Sequence, residues 1–125
     1  MPRCEMMRLG PSGEQIGARY LRRQGYRIIK RNYRCTAGEI DIVAGDRDTL
    51  VFVEVKTRRS DEAADPEAAV NHHKRVQITR AARFFIAESR AERVPCRFDV
   101  LAIVLPADGR PEVTHFINAF TPTPK

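Results

Sequence analysis

The sequence contains no tryptophan, and its three cysteines are too few and too widely spaced for a disulfide framework or a zinc site. Cys4, Cys35 and Cys96 are therefore expected to be free thiols. The chain also lacks an apolar run of about 18 to 20 residues, which a membrane span requires. Its first ten residues have no hydrophobic stretch that could act as a signal peptide. We expect a cytoplasmic protein with no membrane partner.

Length and charge limit the class of protein further. A chain of 125 residues, 42% of them hydrophobic, is long enough for one core and too short for two. We treat residues 1–125 as a single domain, with residues 1–11 as a flexible arm and residues 121–125 as a flexible tail. The net charge is +6, and residues 1–34 carry nine Lys and Arg against two Asp and Glu. Such a basic segment favours nucleic acid as a partner, although a solvated basic surface without a ligand is also compatible.

Hydrophobic periodicity and turn residues predict the order helix, three strands, helix, two strands. Ser12 and Gln15 form a capping-box pattern ahead of a helix that begins near Gly13, and Gly25 is well placed to end it. The second helix is predicted from Glu67 to about Arg90, after an acidic loop around residues 61–66. The predicted strands are residues 26–33, 39–44, 50–56, 98–105 and 113–117.

The segment from Gly38 to Arg58 places charged residues inside strands that otherwise have the composition of a core. An isolated charge is costly to bury unless it is paired or binds a metal. Because side chains alternate along a strand, Glu54 and Lys56 share one face, and the turn at residues 45–48 folds Asp41 back near Glu54. Two carboxylates and one ammonium group are expected to converge on one patch of the sheet.

Two chemical interpretations of this patch remain open from the residues alone. Neighbouring carboxylates repel each other unless a divalent cation neutralises them, and Mg²⁺ favours one or two carboxylates with several waters. Beside such an ion, a lysine can orient a nucleophile or stabilise the charge of a phosphodiester transition state. Alternatively, Lys56 forms a plain cross-strand ion pair with Asp41 or Glu54, which contributes about 0.2 to 1 kcal/mol and needs no function.

The same residues resemble a known family. GEIDIVA, a turn and VFVEVKTR resemble the PD-(D/E)xK signature of restriction-endonuclease-like nucleases, and most of the chain is similar to the bacterial YraN-like family of uncharacterised proteins. Ile40 stands where the signature has proline, and Gln77 is not followed four positions later by the tyrosine of some related nucleases. Outside the hairpin, the similarity runs through Gly13-Glu14, Ala18-x-Tyr20-Leu21, Gly25-Tyr26, Asn32-Tyr33-Arg34, Cys96-Arg97-Phe98-Asp99-Val100 and Asn118-Ala119-Phe120.

This resemblance implies an α/β fold with a mixed sheet flanked by helices, as in archaeal Holliday junction resolvases. It implies that Asp41, Glu54 and the carbonyl of Val55 bind Mg²⁺ or Mn²⁺, that Lys56 is the catalytic lysine, and that Glu14 reaches the metal or its water. The implied activity is hydrolysis of phosphodiester bonds in branched or structured DNA, with a homodimer expected by analogy with the resolvases. An ordinary first-turn glutamate, favoured by the helix dipole, is an equally good interpretation of Glu14.

Further residues have weaker assignments. His72 and His73 are neighbours in a predicted helix, so they point about 100° apart and cannot easily share an ion. Glu39 is expected to pair with an arginine or assist the site, and Asp99 to form a structural hydrogen bond. Seven arginines are candidates for phosphate contacts: Arg19, Arg22, Arg23, Arg31, Arg34, Arg58 and Arg59.

Two other functions compete with the nuclease. One is a non-catalytic nucleic-acid-binding module of a DNA repair, uptake or recombination complex. The other is a structural or interaction protein in which the charges of the hairpin only pair with one another.

Overall fold

The computed structural model describes residues 12–61 and 70–122. The predictions for residues 1–11, 62–69 and 123–125, which include Cys4, lie outside the described residues. Within them the elements follow the predicted order: α1 (Gly13–Arg23), β1 (Arg27–Cys35), β2 (Gly38–Asp46), β3 (Thr49–Arg59), α2 (His72–Glu88), β4 (Cys96–Leu105) and β5 (Glu112–Phe120).

The strands form one mixed sheet in the order of the sequence. β1, β2 and β3 are antiparallel neighbours, β3 and β4 run parallel, and β5 returns antiparallel to β4. A parallel pair needs a crossover connection, and α2 lies in that connection. β4 is buried from Phe98 to Ile103, as its nearly continuous apolar sequence predicts.

The two helices cover opposite faces of this sheet. Beneath α1, Ala18 and Leu21 pack in a core cluster with Ile42, Ala44, Val51, Val53 and Leu101. Beneath α2, a second cluster contains Ile78, Ala82, Phe85, Val43, Phe52, Phe98 and Phe120. The predicted α/β fold with a flanked mixed sheet is confirmed, and it is consistent with the restriction-endonuclease-like architecture.

α1 begins and ends as its sequence predicts. The Ser12 side chain accepts a hydrogen bond from the backbone N–H of Gln15, and the Gln15 side chain accepts one from the backbone N–H of Ser12. Gly25 has a φ of 93°, in the left-handed region that glycine adopts without steric cost. These local interactions define both ends of α1 without any tertiary contact.

The second helix does not run unbroken from Glu67 as predicted: Glu67 lies outside the described residues, but Val70 and Asn71 are not helical and α2 begins at His72. Asn71 is the N-cap, and its side chain accepts a hydrogen bond from the backbone N–H of Lys74. An asparagine within a run of helix formers does not by itself mark a boundary, since its capping role needs the extended backbone found here. Lys74 consequently lies in the first turn of α2.

Four strands extend beyond their predicted ends: β1 reaches Cys35, β2 reaches Asp46, β3 reaches Arg59 and β5 reaches Phe120. Within the described ranges Cys35 and Cys96 are free thiols, as expected. None of the helices in these ranges is long and apolar enough to cross a membrane.

Candidate active site

The pairing between β2 and β3 ends at Ile42 and Val53, and Asp41 is the next residue of β2. Beyond this pair the Asp41 side chain, in place of the backbone of β2, bonds to β3: its Oδ2 accepts a hydrogen bond from the backbone N–H of Val55 at 2.8 Å. Ile40 and Ile42 belong to opposite core clusters although one residue separates them, so β2 loses its regular alternation at Asp41. This irregularity holds the Asp41 carboxylate against β3.

Glu54 lies on β3 beside this carboxylate, with 14% of its side chain exposed. The two carboxyl groups are close enough to form a hydrogen bond when one of them is protonated. Burial and the Asp41 carboxylate raise the pKa of Glu54 to about 7, while Lys74 acts in the opposite direction. The structure therefore brings Asp41 and Glu54 together, as the hairpin pattern predicts.

Lys74, which the sequence pattern did not single out, reaches the same site from α2. Its Nζ lies 3.6 Å from Oε2 of Glu54. In the predicted helix from Glu67, Lys74 falls in the second turn, where nothing distinguishes it from a solvated lysine. The Asn71 cap is the signal that could have placed it at the start of the helix, near the sheet. Glu54 thus has a counter-cation within the protein.

Lys56 and Val55 occupy their predicted positions on β3. Lys56 is half-buried, and strand alternation places it on the face of Glu54. The side chain of Val55 packs partly buried against the opposite cluster, beneath α1. Its backbone N–H fixes Asp41, so Val55 is part of the site through its main chain.

Glu14 lies in the first turn of α1, within electrostatic range of Asp41. Burial and the Asp41 carboxylate raise the pKa of Glu14, against the opposing effects of a hydrogen bond with Asn32 and the charge of Arg31. Asn32 stands opposite the irregular point of β2 and has a φ of 53°. Glu14 therefore belongs to the surroundings of Asp41.

The chemistry of Asp41 and Glu54 suits a hard divalent cation, since Mg²⁺ binds one or two protein carboxylates and completes its coordination with water. Residues 12–61 and 70–122 contain no group of three His, Cys, Asp or Glu side chains placed to hold one ion together. Within these residues Glu14 is therefore not placed to join Asp41 and Glu54 around one ion.

The predicted phosphate-binding arginines lie in different surroundings. Arg19, Arg22 and Arg23 are exposed along α1. Arg31 lies near Glu14, and its Nε is buried with no hydrogen-bond partner among the described residues. Arg31 therefore places a positive charge near the carboxylates.

The other three predicted arginines already contact protein groups. Nε of Arg34 lies 3.2 Å from Glu39, which confirms an arginine pair for this glutamate. Nη2 of Arg59 lies 3.5 Å from Asp61. Nη1 of Arg58 donates to the carbonyl of Arg59 at 3.3 Å.

His72 and His73 are exposed at the start of α2.

Asp99 is fully buried and has a structural role. It lies 3.0 Å from Nε of Arg97 and 2.7 Å from Nε2 of His115, and it accepts the backbone N–H of Asn118 at 2.9 Å. Burial acts to raise the pKa of Asp99, but these hydrogen bonds outweigh it and lower that pKa below the usual value. The structural hydrogen bond expected for this residue is found, within a network that ties β4 to β5.

Comparison with known sequences gives one consistent result. The model of uncharacterised protein family UPF0102 matches residues 13–103. A UPF0102 protein of Syntrophus aciditrophicus is 48% identical over 82% of this chain and 81% of its own length. Another, of Geobacter sulfurreducens, is 48% identical over 90% of this chain and 88% of its own.

The match begins with α1 and ends in β4, so it contains Glu14, Asp41, Glu54, Lys56 and Lys74. The alignments with these two relatives span 81% and 88% of the relatives' own lengths. With this extent of similarity, the chain belongs to uncharacterised protein family UPF0102, the YraN-like family that its sequence resembles.

Proposed function

We propose that this protein is a metal-dependent endodeoxyribonuclease of the PD-(D/E)xK type, with branched or structured DNA as its substrate. The observation that carries the proposal is the pair of carboxylates, Asp41 and Glu54, held side by side where β2 and β3 stop pairing. Partly buried like charges are unfavourable, and a divalent cation relieves their repulsion.

In this proposal Asp41, Glu54 and the carbonyl of Val55 hold Mg²⁺ or Mn²⁺. Such an ion, when bound, polarises a phosphodiester and lowers the pKa of a coordinated water. The N–H of Val55 fixes the orientation of the Asp41 carboxylate. The ammonium group of Lys56 positions the attacking water and stabilises negative charge that develops on the phosphoryl oxygens.

Two further residues assist in the proposed site. The positive charge of Arg31, close to Glu14, attracts a phosphate group of the substrate. Lys74 favours the ionised form of Glu54, since its positive charge opposes the rise in that pKa. Both residues act through charge, and neither transfers a proton.

The test is cleavage of four-way junction, duplex and single-stranded DNA, and of RNA, in Mg²⁺, Mn²⁺ or EDTA. We expect metal-dependent cutting that falls about a hundredfold or more in Asp41→Ala, Glu54→Ala and Lys56→Ala, as for loss of a group that stabilises the transition state. Asp108→Asn, an exposed carboxylate in the turn before β5, is the matched control and should cut normally. Cutting by Asp41→Ala at the wild-type rate would contradict the proposal.

The ion pair of Lys74 with Glu54 favours a second candidate, a nucleic-acid-binding module that does not cut. An internal ammonium group can neutralise Glu54 without any metal. Tight, salt-sensitive DNA binding without cutting in any metal would support this module. A melting temperature that rises with Mg²⁺ in the wild type but not in Asp41→Ala would favour the metal site instead.

A further inference from the structure

A second basic feature lies at the other end of β3 from the carboxylates. The turn between β2 and β3 and the segment before β4 enclose a cleft of about 400 Å³. We call it the arginine cleft, after Arg27, Arg47 and Arg93, which line it. Its volume is within the range of about 300 to 1,000 Å³ that small-molecule sites occupy. The other lining residues are Asp48, Thr49, Leu50, Val94 and Pro95.

The cleft is anchored by main-chain contacts. The N–H of Leu50 donates to the carbonyl of Pro95 at 2.8 Å, which ties the segment before β4 to β3. Nη2 of Arg27 donates to the carbonyl of Arg47 at 3.0 Å, so this guanidinium is held by a neutral group. Arg27 lies across Gly45, where any β-carbon would collide with the guanidinium. Because glycine has no side chain, position 45 leaves the space that the Arg27 guanidinium occupies.

Positive charge in the cleft is only partly balanced. Within residues 12–61 and 70–122, none of the three arginines forms an ion pair, although Asp48 lies in the same lining. Three guanidinium groups against one carboxylate leave an excess of two positive charges. Arginine presents planar N–H donors that match phosphate oxygens, so the missing partner has the chemistry of a phosphate group.

The separation between the arginine cleft and the candidate active site follows from the spacing of their residues along β3. Thr49 and Glu54 are five residues apart on β3, or about 17 Å at 3.3 to 3.4 Å per residue. Successive phosphates of one strand of a DNA duplex lie about 3.4 Å apart along the axis, so about five nucleotides of a duplex, and fewer of an extended single strand, span this distance. α1 runs for a similar length, from Glu14 near Asp41 to Arg23 just before Arg27, with Arg19 and Arg22 exposed.

We infer that the arginine cleft binds a phosphate group of a nucleic acid strand, about five nucleotides from the bond at the carboxylate site. The identity of the strand as nucleic acid rests on the proposed function, whereas the phosphate site rests on the cleft itself. A free nucleotide offers the same phosphate chemistry and is the alternative source. Leu50, Val94 and Pro95 provide an apolar wall that suits the sugar or base of either ligand.

The test removes two of the charges without disturbing the backbone. In Arg47→Asn/Arg93→Gln, asparagine tolerates the φ of 55° at position 47. The matched control is Arg80→Gln/Arg90→Asn, which removes two exposed arginines outside the cleft, one of them also at a φ of 55°. Binding in EDTA is measured by fluorescence anisotropy with single-stranded DNA of about ten and three nucleotides, and by calorimetry with deoxyadenosine monophosphate.

We expect the affinity of the cleft variant for the longer DNA to fall about tenfold, and its salt slope to fall by about 0.7, the value for one lost phosphate contact on a single strand. The control and the short DNA should change little. Loss of mononucleotide binding with unchanged binding of the longer DNA would assign the cleft to a free nucleotide instead. Equal binding of every probe by the cleft variant and the control would overturn the site.

The nuclease proposal and the proposed phosphate site in the arginine cleft can be contradicted independently of each other. If the wild type binds DNA through the cleft but cuts none in Mg²⁺ or Mn²⁺, the nuclease proposal fails and the cleft stands. If cutting depends on Asp41 while the cleft variant binds and cuts like its control, the cleft fails and the nuclease stands.

Discussion

Single residues show two opposite environments for a carboxylate in this fold. Asp99 is buried among donors, and the pKa of its carboxyl is lowered. Glu54 is placed beside another carboxylate, and the pKa of its carboxyl is raised to about 7. In a structural network each buried charge has hydrogen-bond donors or an opposite charge beside it. A pKa that burial and a like charge have shifted is instead typical of functional sites. The contrast separates the supporting residue from the candidate catalytic one.

Glu54→Gln is expected to stabilise the protein in EDTA at pH 8. The ionised Glu54 costs free energy in the folded state, because its folded pKa lies above the ordinary value and its charge is near that of Asp41. The melting temperature should rise by about 3 °C or more. Mg²⁺ should raise the melting temperature of the wild type and leave that of Glu54→Gln nearly unchanged. A lower melting temperature for Glu54→Gln in EDTA would mean that the Lys74 pair outweighs the repulsion.

Asp99→Asn is expected to lose about 3 kcal/mol of the free energy of unfolding at pH 7, because Arg97 and His115 lose a buried charged partner. The folded pKa of Asp99 is lowered, so its stabilisation is complete above the unfolded pKa of about 3.9. It is lost as the pH falls through the folded value. Urea denaturation from pH 7 to pH 2 should therefore show the wild type and variant converging only below about pH 4. A constant difference down to pH 2 would argue against ionised Asp99 as the source.

At the scale of elements, the site depends on how α1 sits on β3. Gly13 opens α1 directly against Thr57, and a β-carbon at position 13 would overlap Oγ1 of that threonine. A β-carbon at position 17 would lie 3.1 Å from Leu101 and 3.6 Å from Ile42 and Val55, so Gly17 also lets α1 approach the sheet closely. The close approach brings Glu14 toward Asp41, so the first turn of α1 sets one wall of the candidate site.

Gly13→Ala is expected to destabilise the protein by about 1 to 3 kcal/mol, the range for overpacking. Thr57→Ala removes Oγ1, which the new methyl group would overlap, together with Cγ2, and the double variant should recover most of the loss. Thermal unfolding of the wild type, both single variants and the double variant gives the coupling directly. Additive effects of the two substitutions would show that the contact between α1 and β3 does not limit stability.

The sequence was a good guide to elements wherever the determining interactions are local. Ser12, Gln15 and Gly25 predict both ends of α1, because each acts on its own neighbours. Alternation and the turn place Asp41 near Glu54, although the irregularity of β2 that aims Asp41 at the N–H of Val55 could not be predicted. Lys74 was missed because its ion pair with Glu54 depends on α2 packing over the sheet, whereas the Asn71 cap predicts only its place in the first turn of the helix.

Across the whole molecule, positive charge is concentrated in the segment that forms α1 and β1. Residues 1–34 contain nine of the 22 Lys and Arg of the chain. Three of these residues, Arg19, Arg22 and Arg23, are exposed along α1. The arrangement favours electrostatic attraction of a long polyanion over recognition of one small ligand.

DNA affinity is accordingly expected to fall steeply with salt. Arg19→Gln/Arg22→Gln/Arg23→Gln should reduce the slope of log K against log salt by about 2 to 3 for a duplex, near 0.9 for each lost phosphate contact. Arg80→Gln/Arg90→Asn/Arg110→Gln makes the same change in net charge at other exposed positions. Equal slopes for the two triple variants would show that net charge alone, and not α1, determines binding.

The two edges of β3 differ greatly in how far along the chain their partners lie. β2 joins β3 in a tight hairpin, while β4 pairs only after the chain has passed through α2. Contacts between near neighbours form faster than those that require a long loop to close. We therefore expect refolding to bring Asp41 and Glu54 together early and to supply Lys74 late. For that interval Glu54 lacks the ammonium group of Lys74, so ions in the surrounding solution should affect the early phase of refolding more than the late one.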